Sequence, residues 1–128
     1  MRTVIDSSAL LAALLEERGS AEVEAVLDDA LISTVNLAEV AAALAREGNP
    51  DEDIRAIMID LRLAAVPPDE EAALDAGMLR RITDPAGLSP GDRFCLALAR
   101  RLRAPVMTAD RAWLKVAGTC GVEVRLIR

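Results

Sequence analysis

Four carboxylates stand where this chain could do chemistry: Asp6, Glu39, Asp92 and Asp110. Asp6 directly follows the apolar run "RTVI", and Asp110 closely follows "PVMT". Each marks a change from a strand-like stretch to a helix-like one. The ordinary use of such an aspartate is to cap the helix, its side chain accepting from the first free amides. The alternative is a metal ligand at the carboxyl end of a parallel strand, where open α/β sheets place their sites. Asp92 is open to both readings as well, because Ser89, Pro90 and Asp92 fit the N-cap, first and third positions of a capping box. Glu39 is the only charge within "LAEVAAALA", from Leu37 to Ala45. A lone buried carboxylate is costly unless it is paired or binds a cation. A thin solvent stripe shared with Arg46, two turns on, would also accommodate it.

There is no histidine and no tyrosine. Ser-His-Asp and Cys-His catalysis, zinc held by histidine and imidazole acid–base chemistry are therefore excluded. Carboxylates, hydroxyls, arginines and bound ions remain. Four carboxylates in one crevice repel, at on the order of 4 kcal/mol for two unit charges about 4 Å apart in an effective dielectric near 20. Such a cluster needs a divalent cation or must keep protons. Oxygen-only ligands select Mg²⁺ or Mn²⁺ over zinc. Without the ion, mutual repulsion should raise the carboxyl pKa values.

The elements that must position these acids follow from hydrophobic pattern and punctuation. "RTVI", "LIST", "LAAV", "PVMT" and "VEVRLI" read as short strands. Helices are predicted over "ALLAALLEE", from Ser20 to near Asp28, and over "NLAEVAAALARE", "PDEDIRAIMIDLRL", "DEEAALDAGMLRRI", "DRFCLALARRLR" and "RAWLKVAG". Gly19 and Gly48 mark stops, and "TDPAGLSPG" reads as a loop. Short apolar strands alternating with helices imply a parallel sheet covered on both faces, a three-layer α/β/α domain. In a sheet of about five strands with order 3-2-1-4-5, strands 1 and 4 are neighbours. The switch point between them would open a crevice beside Asp6 and Asp110. Asp92 begins the helix leading into strand 4, and Glu39 lies one turn into the helix after strand 2.

With 128 residues and no linker or repeat, a single domain over 1–128 is expected. No apolar run approaches the roughly 20 residues of a membrane span. "MRTVIDSSALLAALLEE" lacks the pattern of a signal peptide, so a soluble cytoplasmic protein is expected. Cys95 and Cys120 form no CxxC motif, and Cys95 reads as a small core residue. The net charge of −6 hides an asymmetry: residues 1–75 carry 5 basic and 17 acidic side chains, residues 76–128 carry 10 and 4. The arginine-rich second part leaves room for a phosphate-bearing substrate, since arginine grips phosphate in bidentate fashion. Two solvated faces would account for the same asymmetry.

"VIDSSALLA", "ISTVNLAEV", "LSPGDRFCLALA" and "VMTADRAW" together, in this order, resemble the acidic motifs of PIN-domain ribonucleases, specifically VapC-type toxins of bacterial toxin–antitoxin pairs. The resemblance covers nearly the whole chain. It implies a PIN-like fold and a metal-dependent ribonuclease with the acidic quartet at Asp6, Glu39, Asp92 and Asp110. Asp6, Asp92 and Asp110 would hold Mg²⁺ or Mn²⁺, and Glu39 would orient the attacking water. Ser8 and Thr108 match the small polar residues near the metal and, with Arg93 and Arg111, are the candidate substrate-binding residues. The implied partners are RNA, a VapB-type antitoxin and a second copy in a homodimer, with no membrane. Two other readings stay open: a catalytically silent PIN domain that binds a partner, and a phosphatase-like domain using Asp6. "DSS" lacks the second aspartate that haloacid-dehalogenase phosphatases carry two residues after their nucleophile.

Overall fold

The computed structural model describes residues 2–128. Its five strands are β1 (Thr3–Ile5), β2 (Ala30–Ser33), β3 (Ala64–Val66), β4 (Val106–Thr108) and β5 (Val124–Leu126). They form one all-parallel sheet in the order β3-β2-β1-β4-β5, as the alternation of elements predicts. β1 is central because both of its neighbours pair with it, Val4 lying beside Leu31 of β2 and Val106 of β4. The ladder continues past β1, where the Asp6 amide donates to the Met107 carbonyl at 3.2 Å. The first acid is thereby fixed to the neighbouring strand before its side chain does anything.

Eight α-helices join the strands: α1 (Ser7–Leu14), α2 (Ser20–Glu24), α3 (Thr34–Arg46), α4 (Asp51–Leu61), α5 (Glu70–Met78), α6 (Arg80–Thr83), α7 (Pro90–Leu102) and α8 (Ala117–Cys120). The apolar residues divide into two clusters, one on each face of the sheet. Ile5, Leu10, Ile32, Val40 and Ile54 pack with α1, α3 and α4. Val4, Leu31, Leu96, Val106 and Trp113 pack with α5 and α7. Right-handed crossovers from a parallel sheet require this two-sided burial. Cys95 and Cys120 are buried and unpaired, Cys95 completely, as its place in an apolar run predicts. Among the described residues, no helix is long and apolar enough to cross a membrane.

Several boundaries differ from the pattern in the sequence. β3 is an edge strand, and Ala64 and Ala65 are exposed rather than buried. The stretch 69–82 splits into α5 and α6, and 111–118 forms a 3₁₀ turn, Arg111–Lys115, followed by α8. Pro90 and Gly91 belong to the first turn of α7 and not to the preceding loop. Proline at a first helical position loses no hydrogen bond, since that amide has no helical partner.

Gly19 has φ of +95°, and a Cβ there would lie 2.6 Å from the Ile127 backbone oxygen. The Ile127 amide donates to the Thr108 carbonyl at 3.1 Å, so this contact supports the end of β4. Gly19→Ala combines a left-handed conformation with a clash against backbone. It should destabilise the protein by about 2–4 kcal/mol. An unchanged urea midpoint would refute the close approach.

Candidate active site

Asp6 sits just past β1 and is 2% exposed. Its Oδ1 accepts from the Ala9 amide at 2.8 Å, capping α1. The carboxylate also accepts from the Ser8 hydroxyl, at 2.7 Å to Oδ1, and from the Thr108 hydroxyl, at 2.6 Å to Oδ2. Both hydroxyls are pinned in turn. Ser8 Oγ accepts from the Ala109 amide at 2.9 Å, and Thr108 Oγ1 from the Asp110 amide at 3.1 Å. The ends of β1 and β4 are thus laced through the two small polar residues that the sequence singles out. Asp110, exposed, caps the 3₁₀ turn after β4 by accepting from the Ala112 amide at 2.9 Å. Helix capping and membership of one constellation are not exclusive at either aspartate.

A second hydrogen-bonded group joins α3 to α7. Asn36, completely buried, donates from Nδ2 to Glu39 Oε1 at 2.8 Å and to the Gly91 carbonyl at 3.1 Å. The Glu39 carboxylate lies so close to Gly91 that a Cβ on Gly91 would be 2.3 Å from Oε2. Asp92 follows and completes a reciprocal capping box: the Ser89 amide donates to Asp92 Oδ2 at 2.9 Å, and the Asp92 amide to Ser89 Oγ at 3.2 Å.

Electrostatics joins the two groups at Asp92. Its carboxyl is raised above the ordinary aspartate range, first by burial, with Asp110 and Glu39 adding repulsion against its backbone and Ser89 hydrogen bonds. Asp6 is pushed up to about 6, again first by burial, against the hydrogen bonds from Thr108, Ala9 and Ser8 and with a contribution from Asp92. The Cys95 thiol, one turn into α7, is driven well above its usual value by burial and then by Asp6, Asp92 and Glu39. A single buried atom therefore senses three of the four acids. The rise at Asp6 and Asp92 has a different leading cause from the mutual repulsion expected from sequence. Desolvation outweighs repulsion between the carboxylates at both aspartates.

Among the described residues, the ion pairs all involve other acids. The Arg93 guanidinium is mostly buried and faces Asp84 at 3.7 Å. Arg111 is exposed and donates to the Arg128 carbonyl at 3.4 Å. Nor do three Asp, Glu or Cys side chains among the described residues gather closely enough to cage an ion. The donor set still fits a hard divalent cation. Mg²⁺ is commonly held by one or two carboxylates with water completing its shell, and none of the four acids is in an ion pair among the described residues.

Sequence reasoning missed Asn36 and Gly91. The "NLAE" spacing does place Asn36 and Glu39 on one helical face, but nothing local announces that α7 arrives over them.

Similar architectures occur in solved toxin–antitoxin complexes. A DNA-bound VapBC complex from Salmonella typhimurium aligns with a TM-score of 0.76 at 18% identity, over 100% of this chain and 99% of the other. VapBC-1 from nontypeable Haemophilus influenzae aligns at 0.72 and 18%, covering 99% and 98%. VapBC-5 from Mycobacterium tuberculosis aligns at 0.63 and 25%, also covering 99% and 98%. No curated protein matches the chain significantly by sequence. The PIN domain model matches residues 3–119, a span that includes all four acids, and the chain belongs to the PIN domain family.

Proposed function

We propose that this PIN domain is a Mg²⁺- or Mn²⁺-dependent ribonuclease, the VapC-type toxin of a toxin–antitoxin pair, acting on RNA in the cytoplasm. The carrying observation is Asp6: a carboxylate 2% exposed, at the end of the central strand, with its pKa pushed to about 6 and no cation paired to it among the described residues. A fold keeps such a group at a cost, and a bound cation would offset it. Asp6, Asp92 and Asp110 would hold the ion, which supplies positive charge to phosphate and a more acidic water. Ser8 and Thr108 hold the Asp6 carboxylate in one orientation. Glu39, fixed by Asn36, orients the attacking water. Arg93 and Arg111, each one residue past a proposed ligand, would meet phosphates flanking the scissile bond. A structurally similar chain comes from a toxin–antitoxin complex of Klebsiella pneumoniae, which supports a VapB-type partner for this chain. A homodimer belongs to the same reading.

A synthetic RNA pool incubated with Mn²⁺ or Mg²⁺ should be cut by the purified protein, and EDTA should stop the cutting. The wide spacing of the acids favours a second reading, a silent PIN domain that only binds a partner. No cutting with either ion would defeat the nuclease reading and leave the second one, whereas cutting that persists in EDTA would defeat the metal dependence.

A further inference from the structure

We propose that Asn36 is a positioning residue for the reaction: it fixes the Glu39 carboxylate against the first turn of α7 and so sets its place relative to Asp92. The inference rests on the nuclease reading above. Asn36 is completely buried, and its single NH₂ group serves two acceptors, Glu39 Oε1 at 2.8 Å on its own helix and the Gly91 carbonyl at 3.1 Å on another. Both partners only accept. The amide can therefore face them one way alone, since a flipped side chain would set oxygen against oxygen. The opposite end, Oδ1, is buried without a partner. Buried amides normally satisfy both ends. This one leaves its acceptor orphaned and keeps its donors between Glu39 and α7. Gly91 completes the arrangement, because only a residue without Cβ lets the Glu39 carboxylate lie where Asn36 holds it. The residue immediately after Gly91 is Asp92. One side chain thus ties the Glu39 carboxylate to the backbone of the residue that precedes Asp92, across two helices.

The test is a kinetic cycle with a spectroscopic arm. Asn36→Leu keeps the branched shape, at a larger volume, and removes both donors. Asn36→Ser keeps one donor and serves if the leucine variant folds poorly. In the wild-type background, either should lower kcat by about 10-fold or more. KM, and Mn²⁺ affinity by calorimetry, should stay within about threefold, because the three aspartates are untouched. In a Glu39→Gln background the same substitution should change kcat by less than about twofold, because the carboxylate it positions is gone. Equal losses in both backgrounds would overturn the proposal and make Asn36 a packing residue. The other arm needs no turnover. The Asn36 side-chain NH₂ resonances should shift on Glu39→Gln in the ion-free protein, and unshifted resonances would also overturn it. Should the wild type cut no RNA, the nuclease reading falls. The NH₂ resonances then decide whether Asn36 holds Glu39.

Discussion

Asp6→Asn should abolish RNA cutting and yet make the ion-free protein more stable at neutral pH. The loss of activity should exceed about 100-fold, since even partners outside a metal's coordination shell are worth about 10–100-fold. The gain in stability follows from linkage. The unfolded carboxyl titrates near 3.8 and the folded one near 6. Between these values the native state holds a proton that the unfolded state has released. Stability therefore falls as pH rises from about 4 to about 6 and stays reduced above. A shift of that size corresponds to about 3 kcal/mol. Asparagine is neutral at every pH and escapes this loss. Its Oδ1 can still accept from Ala9. Its NH₂ can donate to the Ser8 and Thr108 hydroxyls once these rotate, because each oxygen retains a free lone pair. Those rearrangements cost part of the gain, so the net stabilisation should be about 1–2 kcal/mol at pH 7.5 and vanish near pH 4. Urea midpoints from pH 4 to 7.5 read it directly. Mn²⁺ should reverse the ranking, raising the wild-type midpoint and leaving the variant's nearly unmoved. A variant destabilised equally at every pH would mean that the Asp6 carboxylate is not burdened by its burial.

Much of this arrangement is legible in the chain, for identifiable reasons. Asp6 and Asp110 each follow a short apolar run, and a parallel sheet sends both strand ends to the same edge; strand order then makes the two strands neighbours. Their capping roles are equally readable, because capping is local. The Glu39 environment is not. Along α3 it is a lone acid in an alanine-rich stretch, equally consistent with a solvent stripe. Its actual partner is a glycine 52 positions later, brought over it by the packing of α7. "SPGD" reads in sequence both as the end of a loop and, through Ser89, Pro90 and Asp92, as a capping box, but nothing local says what its glycine is for. In the fold it is the first turn of the helix, and its glycine answers a side chain from another element. The leading cause of the raised aspartate pKa values was hidden for the same reason. Repulsion between acids can be counted from the sequence, whereas desolvation depends on what tertiary packing places over each carboxylate.

Gly91→Ala should leave the protein folded and stable while costing about 100-fold in turnover. Gly91 lies in the first turn of α7 with no positive φ, so alanine suits the backbone and by propensity would stabilise the helix by up to about 1 kcal/mol. The added Cβ meets Glu39 Oε2 at 2.3 Å and the carboxyl carbon at 2.7 Å. These atoms end a flexible side chain, so Glu39 can swing aside instead of forcing α7 outward. The overall change in stability should then stay within about 1 kcal/mol. The displaced carboxylate leaves its Asn36 donor and moves by an ångström or more, a misplacement that can cost about 100-fold. Glu39→Ala supplies the control. With the carboxylate removed, alanine at position 91 loses its three nearest contacts, so the double variant should match Glu39→Ala in activity and equal or exceed it in thermal stability. A Gly91→Ala protein with full activity would show that the Glu39 position is not used. One that loses several kcal/mol would show that α7, rather than Glu39, gives way.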